Sequence, residues 1–331
     1  MYRIWKIIER QTAAVLAVAI FLTFALTAGR TFLLAENLEN IARQVSLDAP
    51  TVFGQIIVLI AGGIDVSVGS VMAMAAALAI GLQTYGTAAA VLVALLFGLA
   101  IGSVNGLLVT KGKILPFVAT LGTMSVIRGA LLTYTHQEPL SGVDDKFAWW
   151  GGGSIGIVPV PLLITLGLLI FLASLLRWTR VGRNFYAIGG NKEAAYLAGI
   201  AIQRFEFLAF VISGTLASLA GVLLASRLNS ATVQLGNDTA LLTISAALIG
   251  GASLLGGRGR ITGAFLGVLA LGMLTNGMDL LGIQTYHQIA IRATILIVVV
   301  ALDALTRNFA RRLASSTTAS GQSVSAGNRT E

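Results

Sequence analysis

Ten apolar runs separated by short connections constrain this chain more than any other feature. A membrane-spanning helix needs about 20 mostly apolar residues, and several of the runs approach that length. The sequence therefore predicts an all-α polytopic membrane protein with about ten transmembrane helices. The run at 240–252 is the weakest, because it is short and rich in small residues. The runs lie at about 11–29, 45–62, 68–84, 87–109, 115–135, 161–178, 205–226, 240–252, 261–282 and 288–306.

Composition supports a membrane protein and narrows its chemistry. Of the 331 residues, 56% are hydrophobic and 11% charged, against about 25% charged in soluble domains. There is no cysteine, which excludes disulfides and thiolate metal sites. Only His136 and His287 are histidines, and they are far apart. We therefore predict no metal, no cofactor and no enzymatic activity for this chain.

The basic residues predict the orientation. If the N-terminus is cytoplasmic, 16 of the 22 basic residues fall in the inner connections and termini, and four in the outer connections. Arg128 and Arg292 fall within spans, where Arg128 either pairs with a carboxylate or extends toward the outer interface. Cytoplasmic loops carry such an excess of Lys and Arg. We expect ten spans with both termini cytoplasmic. The net charge of +8 is then explained without nucleic acid as a partner.

The two ends of the chain need separate interpretations. Residues 1–313 form the predicted transmembrane domain, and 314–331, rich in Ser, Thr, Ala and Gly, are predicted to be a disordered cytoplasmic tail. A basic start, a hydrophobic stretch and small residues near Ala28 leave a cleaved signal peptide as an alternative for the N-terminus. The apolar run is long for that, and cleavage would leave nine spans.

Residues 62–70 read Gly-Gly-Ile-Asp-Val-Ser-Val-Gly-Ser and separate two apolar runs. They place Asp65 at or near membrane depth, where a charge costs about 2.5–3.5 kcal/mol on insertion scales. Gly62, Gly63 and Gly69 allow the backbone to leave the helix and another segment to approach. This pattern favours transport over simple anchoring. Asp65 has a structural alternative, capping the start of the third segment.

Glycines spaced by four predict close helix packing. One set, Gly98, Gly102 and Gly106, lies in the fourth segment, and a second, Gly259, Gly263 and Gly267, lies around the start of the ninth. Asn105-Gly106 and Asn276-Gly277 each follow a glycine-spaced stretch, in segments five apart. Such segments cross the membrane in opposite directions, as in an inverted repeat of five plus five helices.

The connection 179–204 is the longest one predicted to be cytoplasmic. Asn191 is a candidate N-cap, Lys192 to Ala198 favour helix, and Gly199 favours its end. A helix of about two turns is marginal alone in water. It is either a capped surface turn or a helix that docks in the groove of a partner.

At this point the residues resemble a known family. Glu193-Ala194-Ala195 with Gly199 resembles the coupling-helix signature of bacterial ATP-binding-cassette importer permeases. Residues 62–70 resemble a motif of the ribose-type sugar permeases. Further segments of this chain resemble other motifs of the same family: Asn105 to Gly129, Ala187 to Asn191, Gly250-Gly251 to Gly259, Asn276 to Ile283 and Ala301 to Asp303.

The resemblance implies partners and sites. It implies a second permease subunit, cytoplasmic ATP-binding subunits, and a periplasmic or lipid-anchored sugar-binding protein, all at a bacterial inner membrane. Coupling to the ATPase is assigned to Gly182, Ala187, Gly189, Asn191, Glu193, Ala194, Ala195 and Gly199. The path and gate for a neutral sugar are assigned to Asp65, Ser67, Ser70, Asn105, Thr120, Thr123 and Asn276. Ser and Thr in membrane helices also bond their own backbone.

Two observations keep alternatives open. Many relatives carry Glu-Leu-Asp before the eighth segment, whereas this chain has Ala240-Leu241-Leu242, so ribose specificity does not transfer directly. An ion-coupled secondary transporter remains the alternative function, although it needs buried carboxylates on several spans. The chain has no Gly-x-x-x-x-Gly-Lys-[Ser/Thr] phosphate loop, so energy comes from a partner or from an ion gradient.

Overall fold

A computed structural model describes residues 2–298 and residue 301, with side chains from residue 13 onward. The predicted tail at 314–331, and the end of the tenth apolar run, lie outside the described residues. The described chain is mostly helical. Its α-helices are α1 Tyr2–Thr27, α2 Arg30–Leu33, α3 Ala35–Ile60, α4 Val68–Gly81, α5 Thr87–Thr110, α6 Pro116–Thr135, α7 Ala148–Gly152, α8 Val160–Trp178, α9 Arg180–Gly190, α10 Lys192–Leu197, α11 Ile202–Leu228, α12 Thr239–Ile249 and α13 Ile261–Leu280.

Two further helical stretches complete the described chain. A 3-10 helix runs over Gln83–Tyr85, and residues 285–298 are α-helical. Each of the ten apolar runs overlaps a helix. Within the described part, five helices are long and apolar enough to cross a membrane, judged by length and composition: α5, α6, α8, α11 and α13. This establishes an all-α polytopic membrane fold.

Short strands lie in the connections on one end of the helices. β1 Leu140–Ser141 pairs antiparallel with β4 Ser230–Ala231, and β2 Ser154–Ile155 pairs with β3 Val158–Pro159. The register joins Leu140 to Ala231. The β1–β4 pair joins the connection after α6 to the connection after α11, both of which are predicted to be outside, whereas β2 and β3 lie together in the first of them.

Two helices form the centre of the packing. α11 packs against α3, α4 and α5, and α13 packs against α1, α3 and α12. The main hydrophobic cluster joins Phe53 and Ile57 of α3 to Phe210 of α11 and Val268 of α13. Because α3 is buried from Ala49 to Ile60, its second half is surrounded by protein.

The glycines of α5 lie against α11. A Cβ on Gly98 or Gly102 would meet the backbone of α11 closer than a van der Waals contact, and one on Gly106 would meet Phe207. In α13, Gly263 lies against Gly250 and Gly267 against Ala246. These four-residue spacings therefore let two pairs of helices approach closely.

Three other predicted packing glycines differ in their surroundings. Gly259 precedes α13, with φ of 151°, and lies against Ile56 and Ile60 of α3 instead of α12. Gly251 has φ of 86° and nothing within 4 Å of an added Cβ. Gly63 lies against Val58 and Phe210. Gly259 and Gly251 therefore shape the 250–260 connection and do not line the α12–α13 contact.

Candidate functional site

The chain breaks from helix at residues 61–67, between α3 and α4, and Asp65 lies at the centre of this break. Asp65 is 1% exposed. Its Oδ1 accepts from the Ser67 backbone N–H at 3.0 Å and from the Ser67 hydroxyl at 2.6 Å. Its Oδ2 accepts from the Ser213 hydroxyl of α11 at 2.8 Å. Asp65 therefore fixes the turn into α4 and ties it to α11.

This differs in detail from the predicted cap. Ser67 is the N-cap residue of α4, without a side-chain cap bond of its own. The carboxylate of Asp65 accepts from the N-cap residue and lies two positions before it, as in an Asx turn. Gly62, three residues before Asp65, has φ of 90°. Residues with a Cβ rarely adopt this conformation, so the position favours glycine.

Two neighbouring helices complete the break. Asn105 of α5 donates from Nδ2 to the Ser67 hydroxyl at 2.9 Å. Thr120 of α6 accepts from the Val66 N–H at 3.1 Å and donates to the Pro116 carbonyl at 2.9 Å. The structure thus brings together four residues predicted for the path: Asp65, Ser67, Asn105 and Thr120.

The other predicted path residues lie apart from this network or have no bond to it. Thr123 donates to the Ala119 carbonyl of its own helix at 2.9 Å. Asn276 exchanges two hydrogen bonds with Asn37, at 2.8 and 3.0 Å, and so joins α13 to α3. Ser70 is 1% exposed, and its hydroxyl has no hydrogen-bond partner in the described part of the chain.

Ser213 was not a candidate from sequence. It is fully buried and 148 residues distant from Asp65. It lies in a helix with Ser218 and Ser226, and no local pattern separates it from them. Only the packing of α3 on α11, with Gly54 against the Ser213 backbone, identifies it.

A loop on the other side of α4 approaches its first turn. Gly69 and Gly236 lie so close that a Cβ on either would overlap the other's carbonyl oxygen. Arg128 of α6 donates to the Val233 and Leu235 carbonyls at 2.7 and 3.1 Å. In the described structure Arg128 therefore binds backbone carbonyls instead of a carboxylate, and it holds the loop that leads into α12.

The connection 179–204 forms two helices where one was predicted. The predicted N-cap is confirmed, since Asn191 Oδ1 accepts from Ala194 N at 2.9 Å. α10 covers Lys192–Leu197 and is shorter than expected, while Gly199 has φ of 76°. α9 was missed, because Arg180 to Gly190 mixes glycines and polar residues without a clear helical run.

α10 is exposed on all sides except Ala195. Glu193 and Ala194 are exposed, and Tyr196 and Leu197 are 71% and 79% exposed. Two large apolar side chains on an isolated short helix are typical of a surface that binds a partner.

α9 connects α10 to the break at 61–67. Gly189 lies against the Ile60 carbonyl, and an added Cβ on Gly62 would lie 3.6 Å from the Gly189 Cα. Gly257 N donates to the same Ile60 carbonyl at 2.9 Å, and the Tyr186 hydroxyl donates to the Gly259 carbonyl at 2.8 Å. The predicted coupling segment therefore touches the residues that precede Asp65.

The remaining coupling candidates hold α9 in place. The Gly182 N–H donates to the Thr179 hydroxyl at 3.2 Å, which caps α9, and a Cβ on Gly182 would overlap Leu176. The Ala187 carbonyl accepts from Asn191 N at 3.1 Å. Burial raises the pKa of Tyr186, so its hydroxyl stays protonated and able to donate.

A cleft of about 660 Å³ opens beside α10. Its wall includes Lys113, Pro116, Lys192, Arg204 and Glu206. Lys192 and Glu206 form an ion pair of 2.6 Å across its rim. Residues of α10 and the start of α6 thus lie on the same cleft.

The described residues offer little for other chemistry. Among the side chains that the structure describes, from residue 13 to residue 298, no group of three His, Cys, Asp or Glu residues could hold a metal ion. Asp65 is bonded to hydroxyl and amide groups rather than to a second carboxylate. The arrangement can hold a helix break and transmit its movement.

Comparison with known proteins identifies the relatives of the chain. A ribose import permease protein of Bacillus subtilis is 39% identical over 277 residues, covering 82% of this chain and 86% of that protein. The ribose import permease protein of Escherichia coli K12 is 38% identical over 299 residues, covering 88% and 92%. An L-arabinose transporter permease of Azospirillum brasilense is 32% identical over 312 residues, covering 94% and 92%.

The family comparison covers most of the described chain. No solved structure matches this chain. The family described as branched-chain amino acid transport system / permease component matches residues 37–300, which include the break at 61–67 and the coupling segment. The chain therefore belongs to this family of transport permeases.

Proposed function

We propose that this chain is the membrane-spanning subunit of an ATP-binding-cassette importer that moves a monosaccharide or a related small polar solute inward. The observation that carries the proposal is the contact of Gly189 with Ile60 and Gly62. It links the exposed α10 to the break that Asp65 fixes. The relatives named for ribose and arabinose transport support a sugar as the solute.

The proposed assembly supplies what the chain lacks. Two permease subunits lie in the bacterial inner membrane on two ATP-binding subunits, and a periplasmic or lipid-anchored binding protein delivers the sugar. α10 docks in a groove of the ATP-binding subunit through Tyr196 and Leu197. Closure of the ATP-binding subunits moves α10 and α9, and the 61–67 break follows. Transport is then a two-state change biased by ATP and by loaded binding protein.

The proposed topology is ten spans, with both termini cytoplasmic and an inverted five-plus-five repeat. The packing supports it: α5 packs on α4 and α11, and α13 packs on α12 and α3. If α3, α4 and α5 of the first half are equivalent to α11, α12 and α13 of the second, the α5–α4 contact corresponds to the α13–α12 contact. The α5–α11 contact then corresponds to the α13–α3 contact. α4 and α12 have only 14 and 11 residues. Paired short segments of this kind occur at transporter binding sites.

Uptake by the assembled complex tests the function. Proteoliposomes would hold the chain with the ATP-binding subunit encoded beside it, and the binding protein would be added outside with radiolabelled D-ribose, D-allose or L-arabinose. We expect uptake of at least one sugar that requires ATP inside and persists when the proton gradient is collapsed. Uptake that follows the gradient without ATP would establish the ion-coupled alternative.

The coupling role of α10 has its own test. Glu193→Arg reverses an exposed charge, and Gly199→Pro imposes φ near −65° where the chain has 76°. We expect the double variant to keep its melting temperature but to lose most uptake and most stimulation of ATP hydrolysis. Glu138→Arg, an exposed acid in the 136–139 connection, is the matched control. Wild-type uptake by the double variant would refute the docking of α10.

A further inference from the structure

The connection between α6 and α8 changes character at residue 147. Its first part holds Asp144, Asp145 and Lys146, whereas residues 147–176 contain no charged side chain. This stretch covers α7, the β2–β3 hairpin and nearly all of α8. About a quarter of the residues in soluble domains are charged. The part that precedes α8, residues 147–159, is named the uncharged segment, and its composition differs from that of a connection in water.

The large apolar side chains of the uncharged segment are left uncovered by the rest of the described chain. Trp149 and Trp150 are 45% and 53% exposed, and Ile155 and Ile157 are 57% and 89% exposed. The two indoles pack edge to face, with their ring centroids 5.3 Å apart. Four exposed side chains of this size in so short a segment are typical of a surface that a partner covers.

Polar groups of the uncharged segment are bonded to the helices beneath it. The Arg43 guanidinium of α3 donates to the Gly152 carbonyl and to the Ser154 hydroxyl, the latter at 3.0 Å. The side chain of Arg43 is only 11% exposed. The Gly151 N–H donates to the Ser226 hydroxyl of α11 at 2.7 Å. Because protein atoms satisfy these groups, this part of the segment can leave water without losing hydrogen bonds.

The helix that follows the uncharged segment has the length of a bilayer core. α8 has 19 residues, about 28 Å at 1.5 Å per residue, which matches the roughly 30 Å core of a bilayer. Leu163, Ile170 and Phe171 are exposed along it. At its other end Trp178 is 71% exposed, with the Arg177 guanidinium 6.0 Å from its ring centroid. Tryptophan is enriched at both membrane–water interfaces, so exposed tryptophans flank a span of bilayer length on both sides.

We propose that the uncharged segment lies in the outer membrane–water interface and that the partner covering it is the lipid bilayer. Its indoles lie at the level of the lipid headgroups, its isoleucines reach the upper acyl chains, and the bonds from Arg43 hold it in this position. The surface is continuous with the exposed face of α8. A soluble binding protein fits it less well, because protein interfaces carry a polar rim and this segment supplies no charge.

Spin labels test where the uncharged segment lies. The chain contains no cysteine, so Trp150→Cys and Ile157→Cys each place a single nitroxide on the segment in the full chain. Val143→Cys is the matched control, since Val143 is 70% exposed in the charged part of the same connection. The labelled chains are reconstituted in liposomes and exposed either to oxygen, which concentrates in lipid, or to a nickel chelate, which stays in water.

We expect opposite accessibilities in the two parts of the connection. The labels on Trp150→Cys and Ile157→Cys should relax faster with oxygen than with the nickel chelate, and the label on Val143→Cys should show the reverse. Phe171→Cys, on the exposed face of α8, gives the value for the bilayer interior. The ratio of oxygen to nickel access for the uncharged segment should lie between those of Phe171→Cys and Val143→Cys. An excess of binding protein should leave it unchanged.

Each contrary outcome overturns the inference. Nickel access equal to that of Val143→Cys would place the uncharged segment in water, and a ratio equal to that of Phe171→Cys would place it in the bilayer core. Loss of both oxygen and nickel access when the binding protein is added would assign the segment to that protein. The inference uses the membrane fold and not the transported solute. A wild-type complex that takes up no sugar would contradict the proposed function and leave these accessibilities as they are.

Discussion

At the scale of single residues, Asp65 shows how a charge is accommodated between two apolar helices. Its two oxygens accept from Ser67 and Ser213, all neutral donors. The carboxylate is therefore held by hydrogen bonds from neutral groups. Its two carboxylate oxygens are the hydrogen-bond acceptors, and the role of Asp65 depends on where they lie.

The first prediction compares Asp65→Ala with Asp65→Asn. Alanine leaves the Ser67 N–H and the Ser213 hydroxyl without an acceptor, which costs about 1–3 kcal/mol for a buried group left unpaired. Asparagine keeps an acceptor for Ser67, and the Ser213 hydroxyl can accept from its amide. We expect thermal melts and uptake assays to show a strong loss for Ala and a mild one for Asn.

The exposed residue Asp145 provides the control, since Asp145→Ala should change neither the melting temperature nor uptake. Equal loss of uptake in Asp65→Asn and Asp65→Ala, with uptake that follows a proton gradient, would show instead that Asp65 binds an ion.

Sequence identified Asp65 and its partner Ser67 but not its second partner, Ser213. The glycines, the serines and the position between apolar runs are local features, so the break could be predicted from them. The role of Ser213 depends on which helices meet, because only the packing of α3 on α11 brings its hydroxyl to Asp65.

At the scale of secondary-structure elements, two helices approach closely where one of them carries glycines, because a Cβ at those positions would overlap the other helix. The spacing of Gly98, Gly102 and Gly106 shows that a groove exists but not which helix fills it. The structure assigns α11 to that groove. The long apolar helices were predictable because their length is set by the bilayer. α9 was not, because a short connection helix carries no such constraint.

The second prediction uses two glycines in neighbouring helices. Gly102→Ala places a methyl against the Phe210 carbonyl, and overpacking of this kind costs about 1–3 kcal/mol. Gly122→Ala is the control, because an added Cβ there has nothing within 4 Å. We expect the melting temperature to fall for Gly102→Ala and to stay or rise for Gly122→Ala. Equal melting temperatures would contradict the α5–α11 contact.

The third prediction concerns the carbonyl of Ser46 in α3. Pro50 lies four residues later in the same helix and has no N–H to donate to it, and the hydroxyl of Thr165 in α8 donates to it instead at 2.7 Å. Thr165→Val removes this donor, which costs about 1–3 kcal/mol. Thr133→Val is the control: its hydroxyl donates to the Gly129 carbonyl one turn earlier in the same helix, and that carbonyl keeps its helical bond. We expect a lower melting temperature for Thr165→Val alone, and a smaller loss for Thr165→Ser, which retains the hydroxyl.

At the scale of the whole molecule, the two halves of the chain are interlocked. α3 comes early in the chain but packs on α11 and α13, and α11 packs on α3, α4 and α5. Gly189 of α9 lies between the two halves, against the Ile60 carbonyl of the first and Gly257 of the 250–260 connection in the second.

The fourth prediction tests the orientation. Lys111, Lys146 and Lys192 are exposed, and each can be replaced by the only cysteine of the chain. In intact cells we expect an impermeant thiol label to reach Lys146→Cys, while Lys111→Cys and Lys192→Cys react only after the membrane is opened. Labelling of Lys111→Cys or Lys192→Cys from outside would contradict cytoplasmic termini and the ten-span topology.

The bond between Asp65 and Ser213 also sets an order of events during biosynthesis. The two residues are 148 positions apart, so at about 5–20 residues per second the ribosome makes Ser213 roughly 7–30 s after Asp65. During that interval the first helices are inserted with a carboxylate that lacks one of its final donors. A nascent chain that stops before α11 keeps this defect permanently. The break between α3 and α4 therefore gains its full set of hydrogen bonds only after the second half of the chain has been made.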